Sequence, residues 1–149
     1  MRNAGDGGGI VSHSAARPAP GGRETALDFW TVPEPEDPAA PAPSPARVRY
    51  EVVGLDSVDV VRDGHPARVA AYALERYVLD ASGLYAPAGT IDQLSEVTVA
   101  LVDAAGAPTA ALADVRGVGV RLGRLASWSG DDASESRWEA VFWPPNLAL

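Results

Sequence analysis

The amino-acid sequence predicts an α+β fold, in which a mostly antiparallel β-sheet packs on a long N-terminal helix that is largely absent from this chain. Three observations lead to that prediction. Short segments after residue 46 alternate apolar and polar residues and are separated by glycine-containing turns. None of them has the period of a long amphipathic helix, although a sheet with one apolar face needs a covering layer. Residues 1–5 read Met-Arg-Asn-Ala-Gly, and Asn and Gly commonly terminate helices.

Composition limits both the size and the chemistry of the protein. Its 149 residues fit one domain with a real core. The absence of lysine excludes a phosphate-loop lysine and a Schiff base, and the absence of cysteine excludes disulfides and thiolate sites. The net charge of −8 argues against direct nucleic-acid binding, which requires a basic face.

The N-terminal part divides into a start and a single domain. Residues 1–24 are mostly Gly, Ala, Ser and Pro and are predicted as loop, and residues 25–149 form one β-rich domain. That domain begins with a short strand at residues 25–32. Residues 33–46 contain six prolines, which cannot donate ladder hydrogen bonds, and are predicted as an extended surface loop. A domain linker is the alternative, but the ~30 residues before it are too few for an independent core.

Alternation of period two begins at residue 47. Residues 47–54 and 57–61 are predicted as two strands separated by a Gly-Leu-Asp turn, and the Asp63-Gly64 pair marks a hairpin turn. Residues 68–80 fit either a strand or a helix. Because turn sequences flank them, we predict a strand.

Three further strands are predicted at residues 96–103, 115–125 and 136–143. Each alternates apolar with polar residues and ends near Gly or Pro. The apolar positions of the sheet should share one face that lacks a full cover. This face includes Val48, Tyr50, Val99, Leu101, Val118 and Val120.

Several motifs occur in the order seen in one group of filament proteins. The string MRNAG resembles the Leu-Arg-x-Ala-Gly string at the end of an N-terminal helix, and VRYEV with VVRDG resembles a V-x-Y strand with its following turn. LSEVTVALVDAAG and ADVRGVGVRL resemble two later strands. Together these motifs resemble minor type IV pilins and type II secretion pseudopilins of the PilW/PulJ type. Pro145-Asn146 replaces the family's final Arg-Asn pair, and the Gly-Phe-x-x-x-Glu cleavage motif does not occur in this sequence.

The resemblance implies a pilin-like globular part that lacks its transmembrane helix. It implies a non-enzymatic structural subunit for filament assembly or initiation, with pilus function, DNA uptake and protein secretion left open. Its partners would be other pilin or pseudopilin subunits, the assembly machinery and, through the helix, the membrane. The location would be the periplasm or cell surface, with inner-membrane anchoring before assembly. The alternative is a secreted β-sheet module that binds a glycan or protein through exposed tryptophans.

No catalytic or cofactor-binding residue is predicted, because no nucleophile, base and orienting group can be combined from the available residues. His13 and His65 are interpreted as solvated loop residues rather than zinc ligands. Asp131, Asp132 and Glu135 are weak calcium candidates. Their spacing does not match an EF-hand, so a solvated acidic hairpin loop is the favoured interpretation and no cofactor is expected.

The four tryptophans could stack on a sugar or base, but packing in a core or interface is the more common use. Trp138 shares a strand face with Phe142, which predicts core packing. Trp143 points to the opposite face. Trp128 and Trp143 are therefore the candidates for an interface, and Trp30 is left without an assignment.

Overall fold

In the described part of the chain, seven strands form one antiparallel sheet, and each strand pairs with the next along the chain. The computed structural model describes residues 10–15, 17–31, 37–41, 45–125 and 132–142. The sheet curls into a half-barrel, and a short 3₁₀ helix at Leu112–Asp114 precedes the sixth strand. The strands are β1 (Ile10–His13), β2 (Arg23–Thr31), β3 (Ala46–Arg62), β4 (His65–Leu79), β5 (Tyr85–Val102), β6 (Gly117–Leu125) and β7 (Glu135–Phe142).

The α+β, pilin-like fold prediction is wrong for the described residues, which are nearly all antiparallel β-structure. The predicted β-sheet character is confirmed. A helical cover was inferred because a flat sheet leaves one face bare, but curling brings the strands of one sheet to face each other across its concave side. Residues 1–5, with the helix-terminating string, lie outside the described part. Within that part, no helix has the length and apolar character needed to cross a membrane.

The strand predicted to end at residue 54 and the one predicted to start at residue 57 form a single strand, β3. A bulge between Leu55 and Val58 replaces the predicted turn. Gly54 explains the continuity, because its N–H donates to Gly22 O and its own carbonyl accepts from Gly21 N, both at 2.9 Å. A segment at residues 18–22 therefore lies against β3. Its two hydrogen bonds to Gly54 need an extended β3 backbone at this point, in place of the predicted turn.

The hairpin between β3 and β4 agrees with its sequence signal. Asp63 and Gly64 have φ values of 51° and 73°, and two positive φ values are typical of a type I′ turn. The ambiguous residues 68–80 lie within β4 except for the last residue, so their strand prediction is confirmed. β5 starts at Tyr85, well before the predicted residue 96. Its first half was not predicted because bulges in the β4–β5 pairing and a left-handed Gln93 interrupt the alternation of apolar and polar residues.

The core lies inside the curl of the sheet and includes a strand where the sequence predicted loop. β1 pairs with β2 through Ile10 and His13, and Ile10 is buried against the other strands. His13 Nε2 lies 2.8 Å from the carbonyl oxygen of Val99 on β5, so β1 bends across toward the far side of the sheet. The buried cluster also contains Leu27, Val52, Leu74, Leu94, Val97, Val115 and Val118.

Candidate functional site

The concave side of the half-barrel contains an apolar groove of about 420 Å³. Among the described lining residues, polar groups come from Thr31, Arg76, the hydroxyl of Tyr50 and the indole N–H of Trp138. Every strand contributes to the wall, which includes Ile10, Leu27, Leu74, Val99, Leu122 and Trp138. The volume lies within the range of small-molecule sites, roughly 300–1,000 Å³.

Strand alternation places these side chains on one face. Val118, Val120 and Leu122 are two residues apart on β6, so they point to the same side of the sheet. Neighbouring strands continue the apolar face, since Val120 pairs with Val99 and Leu122 pairs with Trp138. Of the six positions predicted to face inward, all but Leu101 line the groove.

The groove is open along one side. Ile91 and Trp138 belong to its lining but keep 46% and 49% of their surface exposed. Phe29 and Tyr50 stack with ring centroids 6.4 Å apart and nearly parallel planes, which stiffens the opposite wall. Large exposed apolar surface of this kind normally marks an interface.

Arg76 is the charged side chain among the described lining residues. It lines the apolar wall from β4, and its side chain makes no hydrogen bond or ion pair with another described residue. The described lining residues include no carboxylate, histidine or serine. These residues can therefore bury apolar surface and hold one negative group.

The convex side carries a buried carboxylate. Asp28 is 1% exposed and accepts hydrogen bonds from Arg47 Nε at 2.9 Å, Arg49 Nη2 at 2.9 Å and the Tyr85 hydroxyl at 3.0 Å. Burial by itself raises the pKa of Asp28, but the hydrogen bonds from these three groups outweigh it and hold the pKa below its usual value. The Arg49 guanidinium also lies 3.9 Å from the Tyr85 ring centroid.

A second charged network lies beside this cluster, where Arg23 bridges two strands. Its Nη1 lies 2.8 Å from Glu51 Oε2 and also donates to Glu75 and to the Tyr77 hydroxyl. Hydrogen bonds from Tyr77 and then from Arg23 lower the pKa of Glu75. Most of the charge on this part of the convex side is therefore paired within the sheet, which favours a role in stability over one in ligand binding.

The weak calcium candidates are engaged with different neighbours. Asp131 lies outside the described residues. Asp132 accepts a hydrogen bond from Gly64 N at 3.2 Å, and Glu135 accepts one from Ser95 Oγ at 2.6 Å. Among the described residues, no group of three or more His, Cys, Asp or Glu side chains is arranged to hold a metal ion.

The two histidines lie on different strands. His13 is a half-buried member of β1, unlike the solvated loop residue that was predicted, and its ring contacts the β5 backbone. His65 is exposed at the start of β4.

The two described tryptophans, Trp30 and Trp138, lie on opposite faces of the sheet. Trp138 was predicted to pack in the core, but it lies half-exposed at the groove. Trp30 is 38% exposed, with the Arg47 guanidinium 5.9 Å from its ring centroid. Trp128 and Trp143 lie outside the described residues, so their assignment to an interface stays a prediction.

Neither the Asp28 cluster nor Arg76 was predicted from the sequence. Asp28 stands between Leu27 and Phe29 in an apolar strand, and an acidic residue in such a strand is a usable signal of a buried, paired carboxylate. Arg76 gave a similar signal, because alternation from Leu74 places it on the apolar face of β4.

Comparison with known proteins adds no relative. The chain matches no protein-family model, no curated protein and no solved structure. The likeness to minor pilins therefore rests on the order of short motifs, and a functional interpretation has to start from the geometry of the groove.

Proposed function

We propose that this chain is a non-enzymatic structural subunit of a type IV pilus or pseudopilus, and that its groove receives an apolar helix within the filament. The open apolar groove is the observation that carries the proposal. The ordered motifs of the sequence point in the same direction. Whether the filament serves extension, DNA uptake or protein secretion stays open.

The chemistry of the groove favours a helix with an apolar face and one acidic group. Aliphatic and aromatic side chains can bury an apolar stripe, and each Å² removed from water contributes about 25 cal/mol. Arg76 lies in that wall without an ion pair to a described residue, so it offers a counter-charge to a glutamate or aspartate. A helix with its side chains is about 10–12 Å wide, a width that the concave side of a curled sheet can embrace.

Only part of a helix can lie in the groove. The lining residues of β6, Val118, Val120 and Leu122, span about 13 Å at about 3.3 Å per residue, which matches about two turns of a helix with a pitch of about 5.4 Å. In this proposal the subunit works in the periplasm or at the cell surface and is anchored to the inner membrane before assembly.

The secreted binding module remains the second candidate, and Trp138 is the observation that favours it. Its ring lines the groove while half exposed, as a ligand-contacting aromatic would be. A small apolar acid, with its carboxylate on Arg76, would satisfy the same chemistry.

Site-specific photo-crosslinking in the source cells separates the two candidates. A photoreactive phenylalanine replaces Ile91, which lines the groove and is already half exposed, so the substitution should preserve the fold. The matched control places the same residue at Leu84, an exposed apolar position that is not part of the groove lining. We expect the Ile91 variant to crosslink to the apolar helix of a pilin-type subunit, identified by mass spectrometry of the joined peptides.

Two results would overturn the filament proposal. One is a crosslink from Ile91 to a lipid or another small apolar acid, which would establish the binding module instead. The other is a set of products indistinguishable from those of the Leu84 control.

A further inference from the structure

The last strand of the sheet, β7, has an outer edge with which no described residue pairs. Its eight residues, Glu135–Phe142, contain no proline. Trp138 is 49% exposed and Val141 is 39% exposed. An edge strand of this length presents a row of backbone donors and acceptors, which is a template for another strand.

The opposite edge is protected. β1 has four residues, and its pairing with β2 is interrupted by a bulge after Ile10. The side chain of His13 contacts the backbone of β5, so β1 is held close to β5 as well as to its partner β2. Short, bulged and covered edges are the usual means of preventing strand addition. These protections apply to β1, whereas β7 is longer and evenly paired with β6.

We propose that β7 pairs with β7 of a second copy of this chain, antiparallel and with Trp138 at the two-fold axis. A two-fold axis perpendicular to the sheet keeps the same face of both copies on the same side. In this register Arg137 lies opposite Glu139 of the second copy, and the symmetry repeats the contact. Ser136 lies opposite Ala140 of the second copy on the concave face.

Charge selects this register over its neighbours. Arg137 and Glu139 lie on the convex face, because Glu139 accepts a hydrogen bond from Arg121 of β6 at 3.0 Å. An axis through Arg137 would place that arginine opposite itself and Glu135 opposite Glu139. An axis through Glu139 would place two glutamates opposite each other. The axis through Trp138 instead forms two Arg–Glu pairs, and opposite charges directly across strands are stabilising. An axis through Ser136 would also form two such pairs, between Arg137 and Glu135, but it would pair only residues 135–137 of β7, whereas the axis through Trp138 pairs residues 135–141.

The new pairs also continue an existing row of charges. Arg121 of β6 already pairs with Glu139 and lies 3.9 Å from Glu96 of β5. Arg137 of the second copy would extend the alternation of sign by one more strand. A contact made mainly by one strand from each copy buries less than a standard interface of about 1,200–2,000 Å², so the association should be weak and reversible.

Charge reversal tests the register directly. Arg137→Glu creates two Glu–Glu contacts in the homodimer, and Glu139→Arg creates two Arg–Arg contacts. Each variant alone should therefore dimerise at least about tenfold more weakly than the wild type, since both symmetric pairs change from attractive to repulsive. An equimolar mixture of the two variants restores both Arg–Glu contacts, so the mixture should form heterodimers with near wild-type affinity.

Sedimentation equilibrium up to about 1 mM protein covers the range expected for a small interface. Circular dichroism of each variant establishes that it is folded. The matched controls reverse an exposed ion pair on the β3–β4 hairpin, with Asp59→Arg and Arg68→Glu, and both should associate like the wild type. A wild type that stays monomeric, single variants that associate like their controls, or a mixture no more associated than its components would each overturn the proposal. The test does not depend on the filament function.

Discussion

The buried carboxylate of Asp28 should be a major source of stability, and replacing it by asparagine tests this with little change in shape. Asp28→Asn removes the charge that Arg47 and Arg49 approach at 2.9 Å. Removing one partner of a fully buried ion pair costs about 3–5 kcal/mol. The two guanidinium groups are about a quarter exposed and can regain water, so we expect a smaller loss, about 2–3 kcal/mol.

The effect should depend on pH in a defined direction. Because the folded state holds the pKa of Asp28 below its usual value, the unfolded state takes up a proton first as the pH falls below about 4. The stabilisation is complete above that pH and is lost as the pH falls through the lowered pKa of the folded state. The asparagine side chain of the variant does not titrate, so the difference between wild type and variant should shrink under acidic conditions.

Thermal unfolding followed by circular dichroism measures both effects. For a chain of this size about 1 kcal/mol corresponds to 2–4 °C, so Asp28→Asn should lower the Tm by about 5–10 °C at neutral pH. The control is Asp59→Asn, which removes an exposed ion pair with an N–O distance of 3.7 Å and should cost no more than about 0.5 kcal/mol. Equal Tm values for the two variants, or a gap that does not narrow in acid, would refute the assignment of Asp28 as a stabilising centre.

Three further predictions concern the chain segments around the sheet. Gly54→Ala should destabilise the fold by at least about 1–3 kcal/mol, because a Cβ there would lie 2.1 Å from Ala19 O, whereas Gly89→Ala meets nothing within 4 Å and should leave the Tm nearly unchanged. Replacing residues 35–45 by a short Gly-Ser loop should change the free energy of unfolding by no more than about 1 kcal/mol, and loss of cooperative unfolding would contradict this. Saturating calcium should leave the Tm unchanged; a rise equivalent to about 4 kcal/mol at 1,000 times the Kd, abolished by Asp132→Ala, would show a site.

Local alternation predicted most strands because each half-buried strand carries its own pattern. The Asp63-Gly64 turn and β4 follow directly from such local signals. β1 and the first half of β5 do not, because neither carries a clean alternation. β1 follows a run of glycines and has a bulge after Ile10 in its pairing with β2, and the first half of β5 is interrupted by bulges in its pairing with β4. Curvature of the whole sheet likewise arises from twist and bulges summed over seven strands.

The same limit applies to the candidate site. The apolar members of the groove could be predicted from alternation, since Val118 and Val120 repeat at a spacing of two. The Asp28 cluster could not be assembled from sequence, because Tyr85 lies 57 residues from Asp28 and joins it only across the curled sheet. A helical cover was predicted because alternation reveals an apolar face, but it does not reveal how far that face closes on itself.

The groove and the outer edge of β7 meet at Trp138, and this connects the two proposals. In the proposed dimer the two Trp138 rings lie beside each other on the concave face, so the two grooves adjoin at the axis. A helix long enough to contact both would bind the dimer more tightly than the monomer. Linkage then requires the converse, that the helix strengthens dimerisation by the same factor.

Addition of the crosslinked helix as a synthetic peptide should therefore raise the dimer fraction of the wild type and of the mixed charge variants. At the same concentration the rise should be smaller for Arg137→Glu alone, because its dimer is at least about tenfold weaker before the peptide is added. A peptide that dissociates the wild-type dimer would instead show that helix and second copy compete for the same apolar surface.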